Sequence, residues 1–285
     1  MDYLASFLNY IEIRGFSSHT YNNYKRDLLS FFTFFPNKKI ENIKVNDIRN
    51  YIRSLYDKKY STATISRHIS TLKSFYNFLE KEEKIDFNPM SLISNPKKDK
   101  KLPNYLNYED LEKLLKTPNI NTKKGLRSAL ILEMLYSTGI RVSELVNIKV
   151  KDINFSDRKI LVFGKGRKER VVFYGSNLEN LLNKYLPLHQ EPYLFTNNKG
   201  EKLNERTVRK IVSDTARLAH INVKVSPHTL RHTYATHMLS GGADLKSVGD
   251  LLGHENLSTT GIYTHVSNER LRNVYLSSHP RAKKN

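Results

Sequence analysis

Leu4, Phe7, Leu8 and Ile11 recur at the spacing of one helical face, so the chain opens on an amphipathic helix. The hydroxyls of SSHT at 17–20 offer caps for a second helix through YNNYKRDLLSFFTFF. The same period predicts helices over VNDIRNYIRSLY and over STATISRHISTLKSFYNFLEKEEK. It then breaks at NPKKDKKLPNYL, residues 95–106, where proline, asparagine and a run of lysines read as an extended connector. A helical N-terminal domain over 1–94, a linker over 95–106 and a second domain over 107–285 are therefore expected.

The second domain begins with the helical patterns LNYEDLEKLLK and LRSALILEMLYSTGI. KILVFGKGRKERVVFYG follows, two β-rich runs about Gly-Lys-Gly, which is a hairpin signal. Helical spacing resumes in ENLLNKYL, ERTVRKIVSDTARLA, HTLRHTYATHML, LKSVGDLLG, STTGIYTHV and SNERLRNVYL. No internal repeat is visible. The expected fold is mainly α: two domains, the second mostly helical with one small β-sheet.

Charge narrows the function. The chain of 285 residues carries a formal net charge of +19. Residues 1–98 hold sixteen Lys/Arg against ten Asp/Glu, and the remainder thirty-one against eighteen. Both parts are basic, so both can meet a polyanion, and nucleic acid is the usual one. An AT-rich genome, which favours lysine codons, is the competing source of that charge. There is no cysteine, which excludes disulfides, thiolate nucleophiles and zinc ribbons. The N-terminus, with Asp2 and Glu12 inside an amphipathic pattern, is not a signal peptide. No apolar run reaches the roughly 18 residues of a membrane span. No membrane association is expected, and the location expected is the cytosol.

HTLRHTYATHML, residues 228–239, holds three histidines and an arginine. On a helix turning about 100° per residue, His228, Arg231 and His232 share a face and His237 points away. A three-histidine metal site is geometrically poor there. His228 and His232 could pair as i, i+4 ligands, but no glutamate follows the first histidine and Arg231 puts a permanent cation between them. An anion suits that face better than a metal, and a plain structural helix is the other reading. Elsewhere Arg141 follows a glycine in STGIRVSELV, Lys165 sits in the predicted hairpin turn, and His254 precedes Tyr263 by nine residues in LLGHENLSTTGIYTH.

Taken together, TGIRVSEL, GKGRKER, HTLRHTYATHML and LLGHENLSTTGIYTH resemble the tyrosine site-specific recombinases of the integrase family, and within them the Xer recombinases. SSHTYNNYKRDL resembles the core-DNA-binding domain of the same enzymes, and the SHPRAKK tail is Xer-like. The resemblance covers nearly the whole chain. It implies a catalytic set of Arg141, Lys165, His228, Arg231, His254 and Tyr263, with Glu144 supporting the first arginine. His232, His237 and His265 match no catalytic position and read as structural or as DNA-backbone contacts.

A phosphodiester under in-line attack spreads negative charge over its non-bridging oxygens. Guanidinium forks donate paired hydrogen bonds to such oxygens and stay charged, so Arg141 and Arg231 suit the task without a metal. The resemblance makes Tyr263 the nucleophile, His228 its base or proton relay, Lys165 the acid for the departing 5′-oxygen and His254 a phosphate hydrogen bonder. A phenol of pKa about 10 needs such help. The implied 3′-phosphotyrosyl intermediate stores the bond energy, so no cofactor, metal or ATP is expected.

Lys25, Arg26, Arg67, His68 and Lys73 are the expected DNA contacts of the N-terminal helices, in a two-domain clamp closing on a duplex. The resemblance also implies a tetramer with itself or a second Xer recombinase, joined through SNERLRNVYLSSHPRAKKN, and control by a DNA translocase. Chromosome-dimer resolution at a dedicated site is the leading function. A phage or mobile-element integrase, a type IB topoisomerase and a catalytically silent architectural protein are the alternatives.

Overall fold

The structure, a computed structural model, describes residues 3–96, 104–164, 169–253 and 265–282, with residues 265–267 described by backbone alone. The chain divides into two compact units, Met1–Lys101 and Leu102–Asn285.

The first unit holds α1 (Tyr3–Ile13), α2 (Ser18–Phe34), α3 (Val45–Asp57) and α4 (Thr62–Lys81). Ser17 caps α2 by accepting from the Thr20 N–H, which starts that helix three residues ahead of the run read from periodicity. Ser61 caps α4 in the same way. The core is aromatic: Phe7, Phe31, Tyr51, Phe75 and Tyr76 are all essentially inaccessible. Within it lies a polar network. The buried Asp27 pairs with Arg67 and accepts from Thr71 at 3.0 Å, while His68 Nδ1 meets the Tyr51 hydroxyl at 3.0 Å. Burial lowers the His68 pKa against the pull of Asp27.

The second unit is organised about α6 (Lys123–Thr138), whose residues Ala129 to Thr138 are all buried. A helix apolar on every side belongs in a core. Around it stand α5 (Tyr108–Lys116), α7 (Val142–Leu145), α8 (Ser176–Tyr185), α9 (Glu205–Leu218) and α10 (Pro227–Ser240). A three-stranded antiparallel sheet runs β1 (Ile153–Asn154), β2 (Lys159–Phe163), β3 (Glu169–Phe173), with Phe163 paired to Glu169. A smaller apolar cluster of Phe173, Tyr234, Met238, Val248, Leu251, Leu271 and Tyr275 seats α11 (Leu245–Leu252) and α12 (His265–Ser278).

The described part of the C-terminal tail, to Ala282, packs on its own unit. Arg281 pairs with Glu112 at 2.6 Å and lies 3.5 Å from the buried Glu133, and Tyr275 fills the smaller cluster. Two glycines admit the tail. A Cβ on Gly241 would stand 2.1 Å from the Ser278 carbonyl oxygen, and one on Gly175 would stand 1.8 Å from that of Arg281. No helix among the described residues is long and apolar enough to cross a membrane.

Candidate active site

The buried α6 delivers the chain to Gly139, which ends the helix at φ 61°. That left-handed conformation suits glycine, and space demands it too, because a Cβ would come within 2.8 Å of both Leu252 and Tyr234. Two residues later Arg141 is the N-cap of α7, and its backbone N–H donates to Glu144 Oε2 at 2.7 Å. Its Nη1 donates to Glu144 Oε1 at 3.0 Å and its Nη2 to the Gly253 carbonyl at 3.0 Å. The side chain stays 41% exposed, so it can still reach a ligand.

Ser226 caps α10 and Pro227 fills its first position, which places His228 in the first turn, exposed. One turn on, Arg231 is buried, with Nη1 donating to the Gly139 carbonyl at 2.6 Å and Nη2 to the Leu252 carbonyl at 2.7 Å. Burial, then the nearby Arg141 and Arg170, lower its pKa to about 10. It is still a cation at neutral pH. The two guanidiniums thus meet at the C-terminal end of α11, whose last carbonyls carry the negative end of the helix dipole.

Glu144 is buried between Arg141 and Arg170, a residue the sequence reading missed. Arg170 donates Nη1 to Oε1 at 2.5 Å and Nη2 to Oε2 at 2.9 Å. Burial pushes the Glu144 carboxyl up, but the bonds and charge of Arg170 and the donors of Arg141 outweigh it and leave it below the ordinary range. The missed signal lay in strand phase. Arg170 lies two residues before the core-facing Val172 and so shares its face of the strand, a place where a charge needs a partner.

His237 is interior: its Nδ1 meets the Tyr136 hydroxyl at 3.0 Å and its ring stacks on Tyr108 at 4.0 Å. His232 is half-buried, edge-on to Tyr105. Lys165, His254 and Tyr263 lie outside the described residues, as do the STTGIYT part of the expected STTGIYTHV helix and the side chain of His265. Among the described residues, no three His, Asp or Glu side chains gather as a metal site.

The expected DNA contacts divide. Lys25 and Arg26 are exposed on α2, and Lys73 is half-exposed on α4. His68 is corrected: at 4% exposure and bonded to Tyr51, it is an interior group with no face for DNA. Arg67 is half-exposed, and its guanidinium is committed to Asp27.

Comparison with known proteins gives the family. The phage integrase family matches residues 104–270, and its N-terminal SAM-like domain matches residues 4–83. Tyrosine recombinase XerC of Staphylococcus aureus (strain bovine RF122 / ET3-1) is 45% identical over 288 residues, 98% of this chain and 97% of that protein. The crystal structure of XerA recombinase is 31% identical with a TM-score of 0.52, covering 98% of this chain and 99% of its own. XerH recombinase, solved on its palindromic difH substrate after cleavage, is 28% identical with a TM-score of 0.72, covering 90% and 79%. The chain belongs to the phage integrase family as a XerC-like tyrosine recombinase, an enzyme of site-specific DNA recombination that cleaves and rejoins strands.

Proposed function

We propose that the site cleaves one DNA strand by transferring its phosphate to Tyr263. Arg141 and Arg231 hold the non-bridging oxygens of the scissile phosphate, and His254 adds a hydrogen bond. His228 takes the phenolic proton as the Tyr263 Oη–P bond forms. The P–O5′ bond breaks, and Lys165 protonates the departing 5′-oxygen. A 5′-hydroxyl from another strand reverses these steps and releases Tyr263. The observation that carries this reading is the convergence of Arg141 and Arg231 on the carbonyls of Gly253 and Leu252, next in the chain to His254.

Double-stranded DNA is the proposed substrate, supported by the net charge of +19 and by the DNA-bound XerH structure. Lys25, Arg26 and Lys73 contact its backbone, with Arg67 as a partly committed neighbour. Two duplexes and four cuts call for a tetramer of this chain alone or with a second Xer recombinase. Resolution of chromosome dimers is the process that such exchange serves. A plasmid bearing two directly repeated copies of the site should be resolved into two circles; relaxation of supercoils without exchange would contradict this reading and indicate a topoisomerase.

A further inference from the structure

Arg170 turns all three of its guanidinium nitrogens to the protein. Its Nη groups take both oxygens of Glu144, and Nε donates to the Leu251 carbonyl at 3.3 Å. Its side chain is only 15% exposed, and its Cδ lies 3.0 Å from where a Cβ on Gly253 would stand. Three of its five N–H donors are thus spent on the protein, among them the pair that would form a fork on a phosphate. What Arg170 does instead is occupy the carboxylate that Arg141 also uses.

That sharing matters for Arg141. A carboxylate accepts most strongly when a guanidinium meets it in a two-pronged fork. Arg170 holds that fork, so Arg141 is left with one side-chain bond to Glu144 and one to the Gly253 carbonyl. Without Arg170, Glu144 is free to turn and take Arg141 as its fork partner. The charge of Arg141 would then be spent on Glu144, and its planar face would leave the line set by Gly253.

We propose that Arg170 is a positioning residue for strand cleavage: by holding both oxygens of Glu144 and the carbonyl of Leu251, it keeps the Arg141 guanidinium placed and available for the scissile phosphate. The proposal rests on Arg141 and Arg231 being the phosphate clamp. Strand β3 and the C-terminal end of α11 are thereby tied through one side chain to the arginine that begins α7.

The test compares two nicked substrates in single-turnover adduct formation, one with an ordinary scissile phosphate and one with a methyl group replacing a non-bridging oxygen. The second carries less charge and so asks less of a cationic clamp. Arg170→Gln should slow cleavage of the ordinary substrate on the order of 10²-fold, as small misplacements do, with DNA affinity unchanged. Its deficit against wild type should largely vanish on the methylated substrate, as should those of Arg141→Ala and Arg231→Ala. If the latter two recover and Arg170→Gln does not, the clamp stands and the role of Arg170 is overturned. If Arg141→Ala and Arg231→Ala cleave the ordinary substrate at the wild-type rate, the clamp itself is wrong. Should Arg170→Gln fail to fold, Arg170→Lys, which keeps the charge but loses the fork, is scored instead; a wild-type rate from it on the ordinary substrate overturns the proposal.

Discussion

Arg231 and Arg141 donate to consecutive carbonyls, those of Leu252 and Gly253, at 2.7 and 3.0 Å. Both carbonyls belong to the end of α11, where a helix leaves acceptors without partners of its own. The arginines thereby have an oxygen-rich anchor that fixes their planes. The anchor is neutral backbone, so it does not cancel their charge as a second carboxylate would.

Arg231→Lys should cut adduct formation on the order of 10²–10³-fold, the usual cost of a misplaced cationic donor, while DNA binding holds. A lysine is one compact donor group and cannot span the carbonyls of Gly139 and Leu252 in the plane that a guanidinium does. Single-turnover adduct yield beside a binding titration checks this. Equal losses in both would assign Arg231 to binding alone.

Glu144→Ala should destabilise the fold by about 3–5 kcal/mol, the range for removing one partner of a buried ion pair. Arg170 is the group left stranded, since Arg141 is partly solvated. Urea denaturation measures the loss. The acid dependence follows from the lowered pKa: the contribution of Glu144 is present above its unfolded value and is lost as pH falls through the folded one.

Glu133 shows the opposite sign. Burial raises its pKa to about 7, against the pull of Arg281, which at 3.5 Å is a charge contact rather than a hydrogen bond. The native state therefore keeps a proton that the unfolded chain gives up, and stability falls as pH rises from about 4.5 to about 7. Glu133→Gln should raise the melting temperature at pH 8 and change it little below pH 4.5. A gain of equal size at both pH values would contradict the assignment.

Gly241→Ala should loosen the tail without touching the arginines. The new Cβ would meet the Ser278 carbonyl, and backbone must move to clear it. A cost of about 1–3 kcal/mol is expected, as for other overpacked sites. Faster tryptic cleavage after Arg281 is the local readout; a tail as resistant as wild type would show that the gap is not needed.

The motifs about Arg141, Arg231 and His228 were legible in sequence because their residue types are unusual at that spacing. The long helices were legible because each buries one face. Short elements were not: α7 spans Val142–Leu145 and β1 only Ile153–Asn154, too brief for any period to register. Arg170 was passed over because one arginine among GRKER looks like surface until its strand phase is weighed. His68 misled for the reverse reason. It sits in a basic stretch, yet the helical turn that exposes Ser70 buries His68 against Tyr51. The tail's seat on its own unit depends on Glu112, Glu133, Gly175 and Gly241, residues 40 to 169 positions away from Arg281 along the chain, and no local pattern encodes such pairings.

The most direct test of the central claim is to incubate the protein in EDTA with a nicked substrate that traps the cleaved strand, and to map any covalent adduct by peptide mass. The account expects a 3′-phosphotyrosyl adduct at Tyr263 that disappears in Tyr263→Phe while DNA binding persists. An adduct on another residue, or undiminished cleavage by Tyr263→Phe, would contradict it.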